Sequence, residues 1–164
     1  MMLRTLFAST VFALLATTSG AETTFTVANT FQDSKLTENA EISTTAFDAE
    51  IYANRVANVG AGVELPDFVN FYSIDVSEDL ATLTMTVSEL AQPFNNPMPA
   101  GRFDRYYFTF TGAVPTAASI DAEASNPELA QGASVAVTTA GRLVVEFAEG
   151  ADFTAGNKLV VTLQ

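Results

Sequence analysis

Apolar and polar residues alternate in short segments along most of this chain. The clearest segment runs from Ala81 to Val87, where Leu83, Met85 and Val87 face one way and three threonines face the other. Alternation with a period of two is typical of a strand that buries one face and exposes the other to solvent. The same argument predicts further strands over residues 24–31, 42–47, 68–76, 102–111, 118–122, 134–138, 142–147 and 158–163.

Two segments carry helix signals instead. Residues 48–59 follow Thr45, which could cap a helix that ends at Gly60. The apolar residues of this segment also alternate, so a strand remains the alternative to the helix that we favour. A single helical turn is predicted over 126–132, where an asparagine precedes Pro127 at the first helical position.

Many short strands separated by turn residues, with very little helix, indicate an all-β fold with mainly antiparallel pairing. We predict an Ig-like or jelly-roll-type β-sandwich that contains at most one or two short helices. A small β-barrel is the alternative fold, because closing the same strands into a ring would also bury one face of each.

Residues 1–21 have the features of a cleavable secretory signal. Arg4 gives a basic start, an uncharged apolar run follows, and Ser19 and Ala21 are small residues before the first acid. The apolar run is too short to span a membrane, which takes about 20 residues. We therefore expect cleavage after Ala21, no helical membrane anchor, and one β-sandwich domain over 22–164 in the periplasm, at the cell surface or outside the cell.

Composition narrows the class of function mainly by exclusion. The formal net charge is −12, and loss of Arg4 with the signal would make it −13, so nucleic acid is not an expected partner. The chain has no histidine and no cysteine, which rules out Ser-His-Asp triads, Cys-His pairs and ordinary zinc sites. We therefore expect a non-enzymatic protein without a resident cofactor.

Clustered acids are the candidate metal ligands. Asp75, Glu78 and Asp79 lie at a predicted turn, and Asp121 and Glu123 lie two residues apart on a predicted strand. Carboxylate oxygens are the ligands that Ca²⁺ prefers, although this spacing does not match an EF-hand loop. Calcium is therefore a candidate ligand, and solvated turn acids are the simpler interpretation.

Aromatic residues between 102 and 111 are the candidate partner surface. Phe103, Arg105 and Tyr107 alternate along one face of the predicted strand, close to Arg102. Rings beside guanidinium groups could stack on sugars or contact a protein. Packing of both faces inside a sandwich is the competing interpretation, and the absence of tryptophan argues against a sugar.

The predicted first strand is the candidate assembly element. Phe25, Val27 and Phe31 share one face of a strand at the start of the exported chain. Such a strand could complete the sheet of a neighbouring molecule, or it could pair within its own sheet. The resulting hypothesis is an exported structural or interaction module, such as a cell-surface, matrix or filament-type subunit that binds a protein or itself. The alternatives are a carbohydrate- or calcium-binding β-sandwich module and a small outer-membrane β-barrel.

Overall fold

The computed structural model describes residues 22–33, 51–91 and 96–164, and within them two five-stranded antiparallel sheets pack face to face. The elements in chain order are β1 (Thr24–Asp33), β2 (Ile51–Asn58), β3 (Leu65–Phe68), β4 (Tyr72–Val76), β5 (Thr82–Val87), β6 (Arg102–Thr111), β7 (Ala118–Ile120), α1 (Pro127–Ala130), β8 (Ala133–Val137), β9 (Leu143–Phe147) and β10 (Lys158–Leu163).

Sheet A has the strand order β2-β1-β6-β9-β8, and sheet B has the order β3-β4-β5-β10-β7. The sheets do not close into a barrel, so the predicted sandwich is confirmed and the barrel alternative is not. Most predicted strands are also confirmed to within a few residues, and so is the helical turn at Pro127. The strand predicted over 42–47 lies outside the described residues.

The helix favoured over 48–59 is wrong. Residues 51–58 form strand β2, which pairs antiparallel with β1 and places Ala57 opposite Phe25. The capping residues are a local preference, whereas pairing with β1 satisfies the backbone groups of a whole strand. The alternation of apolar residues was therefore the better guide in this segment.

The single strand predicted over 68–76 is two strands joined by a tight turn. Val69 and Asn70 both adopt positive φ angles, 53° and 56°, and the Phe71 N–H donates to the Phe68 carbonyl at 3.0 Å. Two consecutive left-handed residues at the centre of a four-residue turn are typical of the mirror-image turns that join antiparallel strands. The turn escaped prediction because apolar residues continue through it and no glycine marks it.

Large aromatic side chains fill the space between the sheets. The Tyr72 ring of sheet B stacks on Phe147 of sheet A at 5.5 Å between centroids and meets Tyr106 edge-on at 5.3 Å. All three side chains are almost fully buried. Phe25 packs against Phe108 and Phe110 at the other end of the core, with centroids 6.2 and 6.0 Å away.

The segment from β7 to β8 carries the chain from sheet B to sheet A. Helix α1 in this crossover buries Leu129 completely. Asn126 occupies the predicted N-cap position, but its side chain accepts the backbone N–H of Lys158 at 2.9 Å and makes no bond to the helix. The Asn126 side chain therefore binds the crossover to β10 and does not cap helix α1. In the part of the chain that is described, no helix has the length and hydropathy needed to span a membrane.

Gly132 provides a test of this packing. A Cβ atom at this position would lie 2.2 Å from the backbone nitrogen of Ala151, a contact that only backbone movement could relieve. We expect Gly132→Ala to lower the free energy of unfolding by at least about 2 kcal/mol, because overpacking against backbone is poorly accommodated. Urea unfolding would measure the change.

Gly60→Ala is the matched control, because a Cβ there would have no neighbour within 4 Å. Equal effects of the two substitutions would contradict the close approach of residues 132 and 151.

Candidate functional site

The outer face of sheet A carries a group of charged and aromatic side chains at its centre. Alternate residues of β6 point away from the core. Glu146 of the neighbouring strand β9, and Arg142 directly before β9, add two charged residues beside them. We call this group the arginine face. It consists of Phe103, Arg105, Tyr107, Arg142 and Glu146.

Each guanidinium of the arginine face lies over an aromatic ring. The Arg105 guanidinium carbon is 5.2 Å from the centroid of Phe103, and that of Arg142 is 5.4 Å from the centroid of Tyr107. Stacking of this kind holds the guanidinium plane in place and leaves its N–H edges available to carboxylates.

The N–H groups at the edges of the Arg105 guanidinium also bond to other residues of the arginine face. Its Nε donates to Glu146 Oε2 at 2.7 Å, Nη2 forms an ion pair with the same oxygen, and Nη1 donates to Tyr107 Oη at 3.4 Å. Burial alone would lower the pKa of the Arg105 guanidinium, but the bonds to Tyr107 and Glu146 outweigh this effect and raise it. The charge of Arg105 is therefore largely neutralised by the face itself.

Arg142 differs from Arg105 in its surroundings. It is exposed, and no carboxylate among the described residues lies within ion-pair distance of its guanidinium. Its stacking on Tyr107 fixes a positive charge at the surface of a strongly acidic chain. Within the described part of the chain, this charge is therefore not neutralised by a carboxylate.

On the outer face of sheet A, Tyr107 of β6 projects farther than the side chains beside it on the neighbouring strands. Tyr107 lies opposite Ala28 on β1 and opposite Val144 on β9, and Val144 lies opposite the exposed Ala136 on β8. The β6 side chains therefore form a ridge along the middle of the sheet, and its aromatic residues are only half-buried. Around Tyr107 a partner could therefore contact the ridge over short neighbouring side chains.

The arginine face includes three of the four residues predicted as a partner surface. The fourth, Arg102, lies opposite Asp33 in the register and one residue out of step with Phe103, so it is on the core side of β6. Arg142 and Glu146 were not predicted. Their alternation with Val144 on the predicted strand 142–147 was the signal that could have placed them on one face.

The predicted assembly strand lies inside its own sheet. Strand β1 pairs with β2 on one side and with β6 on the other, and Phe25 and Val27 are fully buried. Phe31 lies opposite Asp104 in the register of β1 and β6. Pairing within the sheet, which was the alternative outcome for this strand, is therefore what the structure shows.

The predicted metal ligands are dispersed over sheet B. Asp79 accepts the Ser77 hydroxyl at 2.7 Å and the Ala81 N–H at 3.0 Å, which lowers its pKa. Asp121 accepts the N–H groups of Glu123 and Ala124 at 3.1 and 3.0 Å. Both aspartates therefore stabilise their own turns.

Asp75 is the exception among these acids. It points outward from β4 beside Glu64, and burial and the charge of Glu64 raise the pKa of Asp75. Glu64 in turn accepts the N–H groups of Val76 at 2.8 Å and Gly60 at 3.1 Å. Over the residues that the structure describes, no group of three or more acids is placed to hold a metal ion. Calcium binding stays a prediction.

Comparisons with family models, with curated proteins and with solved structures gave no match to this chain. The residues described above are therefore the only basis for a functional proposal.

A polar cluster in the core was not predicted from the sequence. Asp104 points inward from β6, where it accepts the Tyr106 hydroxyl at 2.6 Å and the Asn29 amide at 2.5 Å. Its position in step with Tyr106 and Phe108 was the available signal, because a period of two places all three on the core face. The Tyr72 hydroxyl is also buried and has no hydrogen-bond partner among the described residues.

Burial of the Asp104 carboxyl makes stability depend on pH. Burial raises its pKa from 3.8 to about 6, although the bonds from Tyr106 and Asn29 act in the opposite direction. The folded state therefore binds more protons than the unfolded state between these two values, and the free energy of unfolding falls as the pH rises through them. Two pKa units correspond to about 3 kcal/mol.

Asp104→Asn should remove this dependence, because the amide does not titrate and keeps an acceptor oxygen for Tyr106. We expect the variant to match the wild type near pH 4 and to exceed it by up to about 3 kcal/mol near pH 7. Chemical unfolding across this range would measure the difference. Glu149→Gln, at an exposed acid, is the control, and an unchanged pH slope in Asp104→Asn would contradict the assignment.

Proposed function

We infer that this chain is an exported, non-enzymatic interaction module that binds its partner through the arginine face of sheet A. The observation that carries the proposal is Arg142, an exposed charge that is stacked on Tyr107 and has no carboxylate partner among the described residues. Aromatic residues and arginine are the residue types most often found at the energetic centre of interfaces.

Export is supported by the N-terminal sequence. The proposed cut after Ala21 precedes β1, which begins at Thr24, so the first strand would be complete in the mature chain. A cysteine-free chain also needs no oxidising enzymes to reach its folded form outside the cytoplasm.

A non-enzymatic role is supported by the same composition. Without histidine or cysteine, general acid–base and nucleophilic chemistry would rest on carboxylates, lysines, serines or tyrosines. Asp104, a carboxyl whose pKa burial raises to about 6, lies on the core side of β6 and bonds to two buried side chains. Its surroundings suit a structural role better than a substrate site.

Export predicts a processed N-terminus. Expression of the full chain in a secreting host should give a mature protein that begins at Glu22, which intact-mass measurement and N-terminal sequencing would identify. Ala21→Arg should block the cut, because a large charged residue does not fit where small residues are required. Recovery of both chains unprocessed in the cytoplasm would contradict export.

Binding through the arginine face predicts which substitutions weaken association. The mature chain would be tested by light scattering over a concentration series and by calorimetry with Ca²⁺, neutral oligosaccharides and uronic-acid oligosaccharides. We expect Tyr107→Ser and Arg142→Ala to weaken whatever association is found by at least about tenfold, since truncating a central interface residue costs about 2 kcal/mol.

Ser134→Ala is the matched control on the same sheet, since Ser134 is exposed on the edge strand β8. The function would be contradicted if the Tyr107 and Arg142 substitutions left the affinity of association unchanged. It would also be contradicted if the chain associated neither with itself nor with any of these ligands.

A further inference from the structure

The outer face of sheet B has the opposite electrostatic character to the arginine face. Asp75 points outward from β4 beside Glu64, whose carboxylate accepts the Val76 N–H at 2.8 Å. Among the described residues no arginine or lysine lies within ion-pair distance of either carboxyl. Two carboxyl groups held together without a cation repel each other, and a guanidinium placed between them would remove that cost.

The rest of this face is flat and polar. Thr82, Thr84 and Thr86 project outward from β5, and Thr162 projects from β10 beside them. All are short side chains that are half-buried by their neighbours. We call this surface, together with Glu64 and Asp75, the threonine face. Lys158 of β10 also lies on this face, opposite Thr86, but it is two strands and two register positions away from Asp75.

We propose that the partner of the arginine face is the threonine face of a second copy of this chain, with Arg142 of one copy against Glu64 and Asp75 of the next. This inference rests on the proposed function, because it uses the same surface of sheet A. The argument for a second copy is charge complementarity between two faces that both exist on this molecule.

The position of the two faces determines the kind of assembly. They are the outer surfaces of the two packed sheets, so they lie on opposite sides of the sandwich. A contact between unlike faces of identical copies is heterologous, and it leaves one free face at each end of every pair. Copies would therefore add in a row, as in a filament, and would not stop at a dimer.

The size of the faces limits the strength of the contact. Five strands at about 4.8 Å spacing, each about five residues long, present an area of about 400 Å². Two such faces bury about 800 Å² in total, which is below the usual range for stable complexes. Assembly should therefore depend on concentration. It should also be observed at physiological salt, where repulsion between the acidic chains is screened beyond about 8 Å.

Charge reversal on each face tests the proposal with the mature chain. Arg142→Glu disables the arginine face and leaves the threonine face intact, whereas Asp75→Arg does the reverse. We expect the wild type to form growing oligomers with concentration in light scattering, and each variant alone to remain monomeric. An equimolar mixture of the two variants should assemble again, because the intact faces of the two variants complement each other and so do the two reversed charges.

Two further variants control for net charge and for folding. Arg55→Glu changes the charge as much as Arg142→Glu does, but on the exposed edge strand β2, and Glu149→Arg matches Asp75→Arg at an exposed loop. Both should assemble like the wild type. Thermal unfolding of all four variants would establish that the monomeric ones are folded.

The outcomes separate this inference from the proposed function. Oligomers of Arg142→Glu that match the wild type, or a variant mixture that stays monomeric, would overturn the contact between unlike faces. A wild type that stays monomeric yet binds uronic-acid oligosaccharides through Arg142 would overturn self-association and leave the proposed function standing. A wild type that neither assembles nor binds would overturn both.

Discussion

The contact of Tyr72 with Tyr106 and Phe147 is the interaction on which the sandwich depends. It joins β4 of sheet B to two neighbouring strands of sheet A in a chain that has no cysteine for an inter-sheet disulfide. Each aromatic pair contributes about 1 kcal/mol beyond the burial of its surface. Several such pairs meet in this cluster, so their sum is of the same order as one disulfide, about 3 kcal/mol.

Because two of these three rings belong to tyrosines, the contact between the sheets also brings polar hydroxyl groups into the core. Tyrosine hydroxyls come with the rings, and an unsatisfied buried hydroxyl costs about 1–3 kcal/mol. Asp104 accepts the Tyr106 hydroxyl and the Asn29 amide, whereas the Tyr72 hydroxyl has no such partner among the described residues. The raised pKa of Asp104 follows from the same arrangement, because the carboxyl that accepts from Tyr106 must itself be buried.

The sequence predicted the sandwich because strand alternation is a property of each segment alone. It failed at the Val69–Asn70 turn and over 48–59, where the outcome depended on backbone pairing with other strands. The candidate site shows the same division. Phe103, Arg105 and Tyr107 alternate on one strand and were predicted together, whereas Arg142 joins them through the register of β6 and β9. Strand order is set by long-range packing, which alternation within a segment does not encode.

The same separation of inner and outer faces explains how an acidic chain can present a basic surface. Strand β6 points Asp104 toward the core and Arg105 to solvent, and Arg142, directly before β9, stacks on Tyr107 of the same outer face. On sheet B the outer side of β4 carries Asp75, with Glu64 beside it. Net charge alone predicts repulsion between copies. Salt screens charges that are more than about 8 Å apart, whereas charges in direct contact are closer than this and still attract or repel. The self-association that we propose therefore depends on how charge is distributed between the two faces, and not on its total.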